Sequence, residues 1–153
     1  MPAMVMPAAH ALMQAAEDIP AAVDGLTVGQ LWARPGGAAS VGFHLRHVAG
    51  SIDRLLTYAN GEMLSDAQLA TSHAEQVPVD GEAAGLAQAA VAAIRRAISV
   101  MQETSPGTYL EPREVGRRRL PTTVFGLYVH IAEHTQRHVG QIISTAKVVG
   151  SVA

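Results

Sequence analysis

"SVGFHLRHVAGSIDRLLTYANG", Ser40–Gly61, reads as one complete helix with both of its ends written in. Ser40 offers a hydroxyl to the unpaired N–H groups of a first turn, and Asn60-Gly61 is a helix stop. Between them Val41, Leu45, Val48, Ile52, Leu55 and Ala59 recur at steps of three and four, an apolar stripe about one face wide. A stripe of this kind has to be buried against other elements, and the rest of the chain supplies three more segments with the same period.

The first of these runs from about Pro7 to Val23, with Leu12, Met13, Ala16, Ile19 and Val23 on one side and Pro20 inside it, where a bend is expected. Thr27 then caps one short turn ahead of the Pro35-Gly36-Gly37 break. Beyond Gly61 comes a polar segment containing His73 and Pro78, read as connection. A third helix follows from about Glu82 to Glu103, nearly all Ala with Leu86, Val91, Ile94, Ile98 and Met101. The connection from Thr104 to Thr122 is long, and loops of that length are uncommon without a role, so it is expected to cover a pocket. Thr122 or Thr123 caps a fourth helix that continues to about Val149. No strand pattern competes with these four. The expectation is an all-α four-helix bundle with a long connection before the fourth helix, a single domain over residues 1–153, with metal or ligand sites between facing helices.

Composition narrows the chemistry. The 153 residues contain no cysteine, which excludes disulfides, thiolate catalysis by the chain and Cys-based zinc sites. Any transition metal must be held by histidine and carboxylate. A net charge of −2 makes no electrostatic case for nucleic acid. The run Arg117–Arg119 is the one dense basic feature and reads first as solvated surface. No uninterrupted apolar run approaches the roughly 20 residues of a membrane span, and no Lys or Arg precedes Arg34, so the basic start of a signal peptide is missing. A cytoplasmic protein is the expectation.

Three of the seven histidines, His130, His134 and His138, stand at successive steps of four in the fourth helix. At about 100° per residue they form a slanting row. Leu127, Ile131, Ile142 and Thr145 bracket His134 and His138, which therefore project into the bundle, with His130 at the polar edge. Two core-facing imidazoles one turn apart can hold one metal ion. A third ligand is available from the second helix, where His44 and His47 are three apart. Periodicity puts His44 nearer the centre of the stripe and His47 at its margin, which favours His44 and leaves both open.

"SVGFHLRHVAGSIDRLLTYANGE" taken with "HIAEHTQRHVGQI" resembles the DinB-like (DinB/YfiT) superfamily of small helical metalloproteins. The resemblance runs over essentially the whole chain, including the order of the four helices and the "LWARPGG" approach to the second. It implies a four-helix bundle, often a homodimer, with a divalent metal held by one histidine of the second helix and two of the fourth, just ahead of a Gly-Gln pair. Carried over by position, the ligands are His47, His134 and His138, with Gly140-Gln141 trailing. Arg137 and Val139 stand where many members have further histidine and arginine. On this assignment His44 becomes a neighbour of the site.

The resemblance also implies a metal-dependent enzyme, a transferase or isomerase activating a small thiol such as bacillithiol or mycothiol against an electrophilic substrate. Three imidazoles with open positions suit a catalytic ion, and zinc or nickel lead over iron or copper as occupants. Arg46, Asp53, Arg54, Tyr58, His130, Glu133 and Gln141 are the polar groups near enough in sequence to line such a pocket. Two alternatives stand beside it. One is a metal-stabilised homodimeric bundle that binds or responds to stress without turnover. The other reads His130–His134 as H-x-x-E-H, an inverted zinc-peptidase signature. That signature needs an acidic ligand downstream, and residues 135–153 contain no Asp or Glu.

Overall fold

The structure, a computed structural model, describes residues 1–151. Val152 and Ala153, the end of the span expected to form the domain, lie outside the described residues. Four long helices make the bundle: α1 (Met6–Val23), α3 (Val41–Ala59), α5 (Ala83–Glu103) and α6 (Val124–Ser151). Two short ones, α2 (Val28–Trp32) and α4 (Asp66–Ala74), lie in the connections.

The capping signals act where the sequence puts them. Ser40 accepts from the Phe43 N–H at the start of α3, and Thr27 closes a capping box with Gln30 at the start of α2. Thr123 is the residue that caps α6, accepting from the Gly126 N–H at 3.0 Å. The apolar stripe of α3 is buried throughout, and so are Leu12, Ile19 and Val23 of α1 and Val124, Leu127, Ile131 and Ile142 of α6. Met13 is a correction: it is 52% exposed, because the buried arc of α1 is narrow and runs through Ala8, Leu12, Ala15, Ile19 and Val23, with Met13 outside it. α1 runs through Pro20 to Val23 without interruption.

Each long helix packs mainly on two others, α1 and α3 each against α5 and α6. Side-chain contacts give the directions. His44 meets His138 and His47 meets His134, so α3 and α6 are antiparallel. Gln136 of α6 donates to the Ala11 carbonyl and Gln30, just past α1, donates to the Val149 carbonyl, so α1 and α6 are parallel. The Thr104 hydroxyl at the end of α5 meets the Tyr128 hydroxyl near the start of α6, at 2.7 Å. The end of α5 thus lies beside the end of α3, and these two neighbours are parallel.

Parallel neighbours cannot be joined by a tight turn. The connection has to travel the length of α3, about 28 Å for its 19 residues. Residues 60–82 make that journey, and the polar segment read from sequence as connection contains a helix, α4, with its own capping box from Ser65 and Gln68. α4 lies along the outside of α3: Gln68 donates to Asp53 and Thr57, and one Arg46 guanidinium nitrogen reaches the carbonyls of both Ala74 and Val77.

The stretch before α6 is the second correction. It holds a two-stranded antiparallel hairpin, β1 (Pro112–Val115) with β2 (Leu120–Thr123), in register Val115 to Leu120. Strands of four residues are too short to show a period of two above the noise of single residues, and Pro112 and Pro121 argue against strand at sequence level. Gly116 (φ 74°) and Arg119 (φ 48°) turn the chain in the left-handed region, and Arg119 is paired with Glu114. Arg113 fastens the hairpin to the bundle by donating from Nε to the Ala59 carbonyl at the end of α3, at 2.7 Å. Among the described residues α5 is the one helix long and apolar enough to cross a membrane; it carries Arg95 and Arg96 and packs against α1 and α3.

Candidate metal centre

Where α3 faces the middle of α6, three imidazoles converge. Ligand nitrogens of His47, His134 and His138 lie within 4.8 Å of one another. The ring centroids of His138 are 4.5 Å from those of both His47 and His134, and His47 and His134 are 5.1 Å apart. His47 Nε2 stands 3.4 Å from His134 Nε2. Two nitrogens bound to one tetrahedral ion at about 2.0–2.1 Å are separated by about 3.3 Å. The pair already has the spacing that a shared ion requires.

Two of the three rings are oriented by a neighbour. Glu75, the residue after α4, accepts from His47 Nδ1 through Oε2 at 2.7 Å and from Arg54 through Oε1 at 2.7 Å. A carboxylate can only accept, so His47 Nδ1 carries a proton, and in the neutral ring the lone pair is on Nε2. His138 Nδ1 lies 2.8 Å from His44 Nδ1, which likewise leaves His138 Nε2 unused. His134 has no such support: its Nδ1 is buried with no hydrogen-bond partner among the described residues. Phe43 lies face-on to His47, with centroids 5.3 Å apart and planes 19° apart, and walls the cluster beside a small cleft lined by Arg34, Ser40 and Gln76.

The electrostatics hold His134, His138 and His44 toward the neutral form. Burial, with the nearby charges of His47, His130 and Arg137, pushes His134 down to about 4. Burial, with His47, His134, His44 and Arg137, pushes His138 down to about 3. His44 is lowered for the same reasons, burial first and His47 second. For Glu75 burial acts upward, but the hydrogen bonds from His47 and Arg54 and their charges outweigh it, and the carboxyl sits below its usual range. His134 and His138 are therefore neutral imidazoles and an ionised carboxylate stands behind His47, a set that fits a divalent transition metal.

The other polar groups expected near the site divide. Arg54 reaches it through Glu75, and His44, only 6% exposed, lies in the core where periodicity put it. His130 and Glu133 face outward: Glu133 binds His130 Nδ1 at 2.7 Å and takes two bonds from Arg137. His130 and Glu133 are thus engaged with each other and with Arg137 at the rim of the cluster, the His130 ring 5.6 Å from that of His134. Gln141 is exposed. Asp53 is engaged with Gln68 and Arg96, and Arg46 with the carbonyls of Ala74 at the end of α4 and Val77 beyond it. Tyr58, three turns beyond His47 on α3, lines a separate cleft of about 450 Å³ with Glu62, Arg113 and Arg119. A roomier cleft of about 740 Å³ lies between the end of α1 and α5, lined by Pro20, Leu26, Val28 and Val91, and none of the three histidines borders it.

Glu75 is the residue that sequence reasoning missed. It stands in a segment with no helical stripe, 28 positions from its partner, and nothing local distinguishes it from the chain's other carboxylates. The one signal was Gly50, a glycine inside a strongly periodic helix one turn after His47, which marks a close approach by something else.

No curated protein matches the chain. The family model of the DinB superfamily matches residues 11–142, a span that holds α3, α4, α5, the hairpin and all three converging histidines. With that match over most of its length and the bundle and histidine cluster described above, the chain belongs to the DinB superfamily.

Proposed function

We propose that this protein binds one divalent transition metal ion through His47, His134 and His138 and acts as a metal-dependent enzyme on a small-molecule substrate. The observation that carries the reading is the 3.4 Å approach of His47 Nε2 to His134 Nε2 within the three-histidine cluster. Neutral rings favour an ion there, because no proton has to be displaced from His134 or His138 near pH 7.

Three features support turnover over a purely structural role. The grouping contains three protein ligands and no carboxylate, which leaves a coordination position for substrate. The three histidines are half-buried, at the edge of the bundle interior. The orienting groups Glu75 and His44 fix two rings and leave their other nitrogens free. A divalent ion held there supplies Lewis acidity, able to polarise an oxygen or to stabilise a thiol as thiolate. Within that class we favour a small thiol as co-substrate, on the resemblance to thiol-dependent transferases and isomerases. Zinc and nickel suit the donor set best.

Elemental analysis of protein purified without a metal-affinity tag is expected to give one ion per chain, and a panel of small thiols with electrophiles is expected to show metal-dependent turnover. A protein that neither carries nor takes up stoichiometric metal ends this reading. Stoichiometric metal with no turnover across the panel supports the non-catalytic bundle instead.

A further inference from the structure

We infer that Glu75 is a positioning residue, delivered by α4 across the outside of α3 to hold His47 in the one tautomer that can present Nε2 to an ion. The inference rests on the proposed metal site and adds a residue outside the three ligands. His47, Gly50 and Arg54 share the outer face of α3 at steps of three and four. Glu75 lies across them, 2% exposed, with one oxygen on His47 Nδ1 and the other on Arg54 Nη1. Gly50 makes room for it: a Cβ on Gly50 would overlap Glu75 Oε1 and stand 2.8 Å from Arg54 Nη1.

A carboxylate serving only to fasten α4 to α3 could place both oxygens on Arg54 in the planar, bidentate fashion arginine favours. Here it is split, one oxygen to the guanidinium and one to the imidazole. α4 has other fastenings, from Arg46 to the Ala74 and Val77 carbonyls and from Gln68 to Asp53 and Thr57. The bond to His47 is therefore not needed to dock the segment. What it does accomplish is chemical: with Nδ1 donating to the carboxylate, the neutral ring has its lone pair on Nε2, the nitrogen that faces the cluster.

This logic gives Glu75→Gln a sharp outcome. Arg54 can only donate, so the glutamine carbonyl turns to Arg54 and its NH2 turns to His47 Nδ1. His47 Nδ1 must then accept, its proton moves to Nε2, and the nitrogen facing the cluster becomes a donor. In the metal-free protein, nitrogen-15 imidazole spectra should show His47 protonated on Nδ1 in wild type and on Nε2 in Glu75→Gln. Zinc affinity, measured by competition with a chromophoric chelator, should fall roughly 10- to 100-fold. Adding Arg54→Leu to Glu75→Gln frees the carbonyl to accept from His47 and should restore both the tautomer and most of the affinity. Gly50→Ala, which displaces the carboxylate without removing it, should weaken zinc in the same way.

A folded Glu75→Gln protein that keeps the Nδ1–H tautomer, or that changes tautomer and binds zinc as wild type does, overturns the inference. If Glu75→Gln fails to fold, the same two readouts on Gly50→Ala decide it. Wild-type protein that binds no zinc sinks the metal reading, and the tautomer shift in metal-free protein still decides whether Glu75 positions His47.

Discussion

His44 Nδ1 lies 2.8 Å from His138 Nδ1, two nitrogens of which one must donate and the other accept. On the proposed metal site His138 presents Nε2 to the ion, which puts its proton on Nδ1 and makes His44 the acceptor. His44 thus does for His138 what Glu75 does for His47, with a neutral acceptor in place of a charged one.

Truncating each histidine of α3 separates ligand from support. His44→Ala leaves His138 Nδ1 unpaired, and metal affinity is expected to fall roughly 10- to 100-fold while one ion per chain still binds. His47→Ala removes a ligand and is expected to abolish stoichiometric binding. Metal titration of the two variants checks both. Full metal content in His47→Ala with loss in His44→Ala would reverse the assignment.

Acid should destabilise the metal-free protein. His134 and His138 sit at about 4 and about 3 when folded, against 6.5 for a free imidazole. Between those values and 6.5 the unfolded chain binds more protons than the folded one, so stability rises with pH. The contribution is complete above 6.5 and is lost as pH falls toward 4 and 3. Glu75, whose carboxyl is lowered, adds loss of the same sign below 4.5. Thermal unfolding in chelator at pH 7, 6 and 5 should give a steadily falling Tm, and His138→Asn should flatten the trend. A Tm that is level or higher at pH 5 contradicts it.

Gly42→Ala tests the docking of α2 on α3. A Cβ at Gly42 would stand 2.7–2.8 Å from three carbons of the Trp32 ring. A rigid indole cannot yield as a flexible chain end does, so overpacking should cost about 1–3 kcal/mol in urea unfolding. An unchanged midpoint would mean that Trp32 is not held against α3.

Arg113 is the hairpin's attachment, bonded to the Ala59 carbonyl and paired with Glu111. Arg113→Ala should lower global stability by about 1–2 kcal/mol, as loss of a charge-assisted hydrogen bond does. Amide exchange should quicken through β1 and β2 while the middle of α3 and of α6 stays protected. Equal loosening of the whole bundle would show that the hairpin is not a separable unit.

The four long helices were legible because what makes them is local. Ser40, Thr123 and the stripe Val41–Ala59 each act over one or two turns, within reach of a periodic reading. The α4 helix was not, since its hydrophobic face is weak and its packing partners are polar groups of α3. The hairpin was not, since its pairing joins residues whose strands are too short to show a pattern. His134 and His138 were legible as a pair on a buried face, and His44 as the more deeply buried histidine of α3. Which α3 histidine joins the cluster was not legible from periodicity, which leaned to His44; the family resemblance assigned His47, and it is His47 that converges with His134 and His138.

By itself, then, the sequence determined an all-helical bundle, excluded cysteine chemistry, and placed candidate ligands on two helices, all from periodicity and composition. Only the tertiary structure decided that α3 and α5 run parallel, which forces residues 60–82 along α3 and brings Glu75 to His47. It also decided which ring nitrogens are free, since that depends on partners 28 and 94 positions away. A helix announces itself within one turn, whereas the protonated nitrogen of a buried imidazole is chosen by whatever the fold sets beside it.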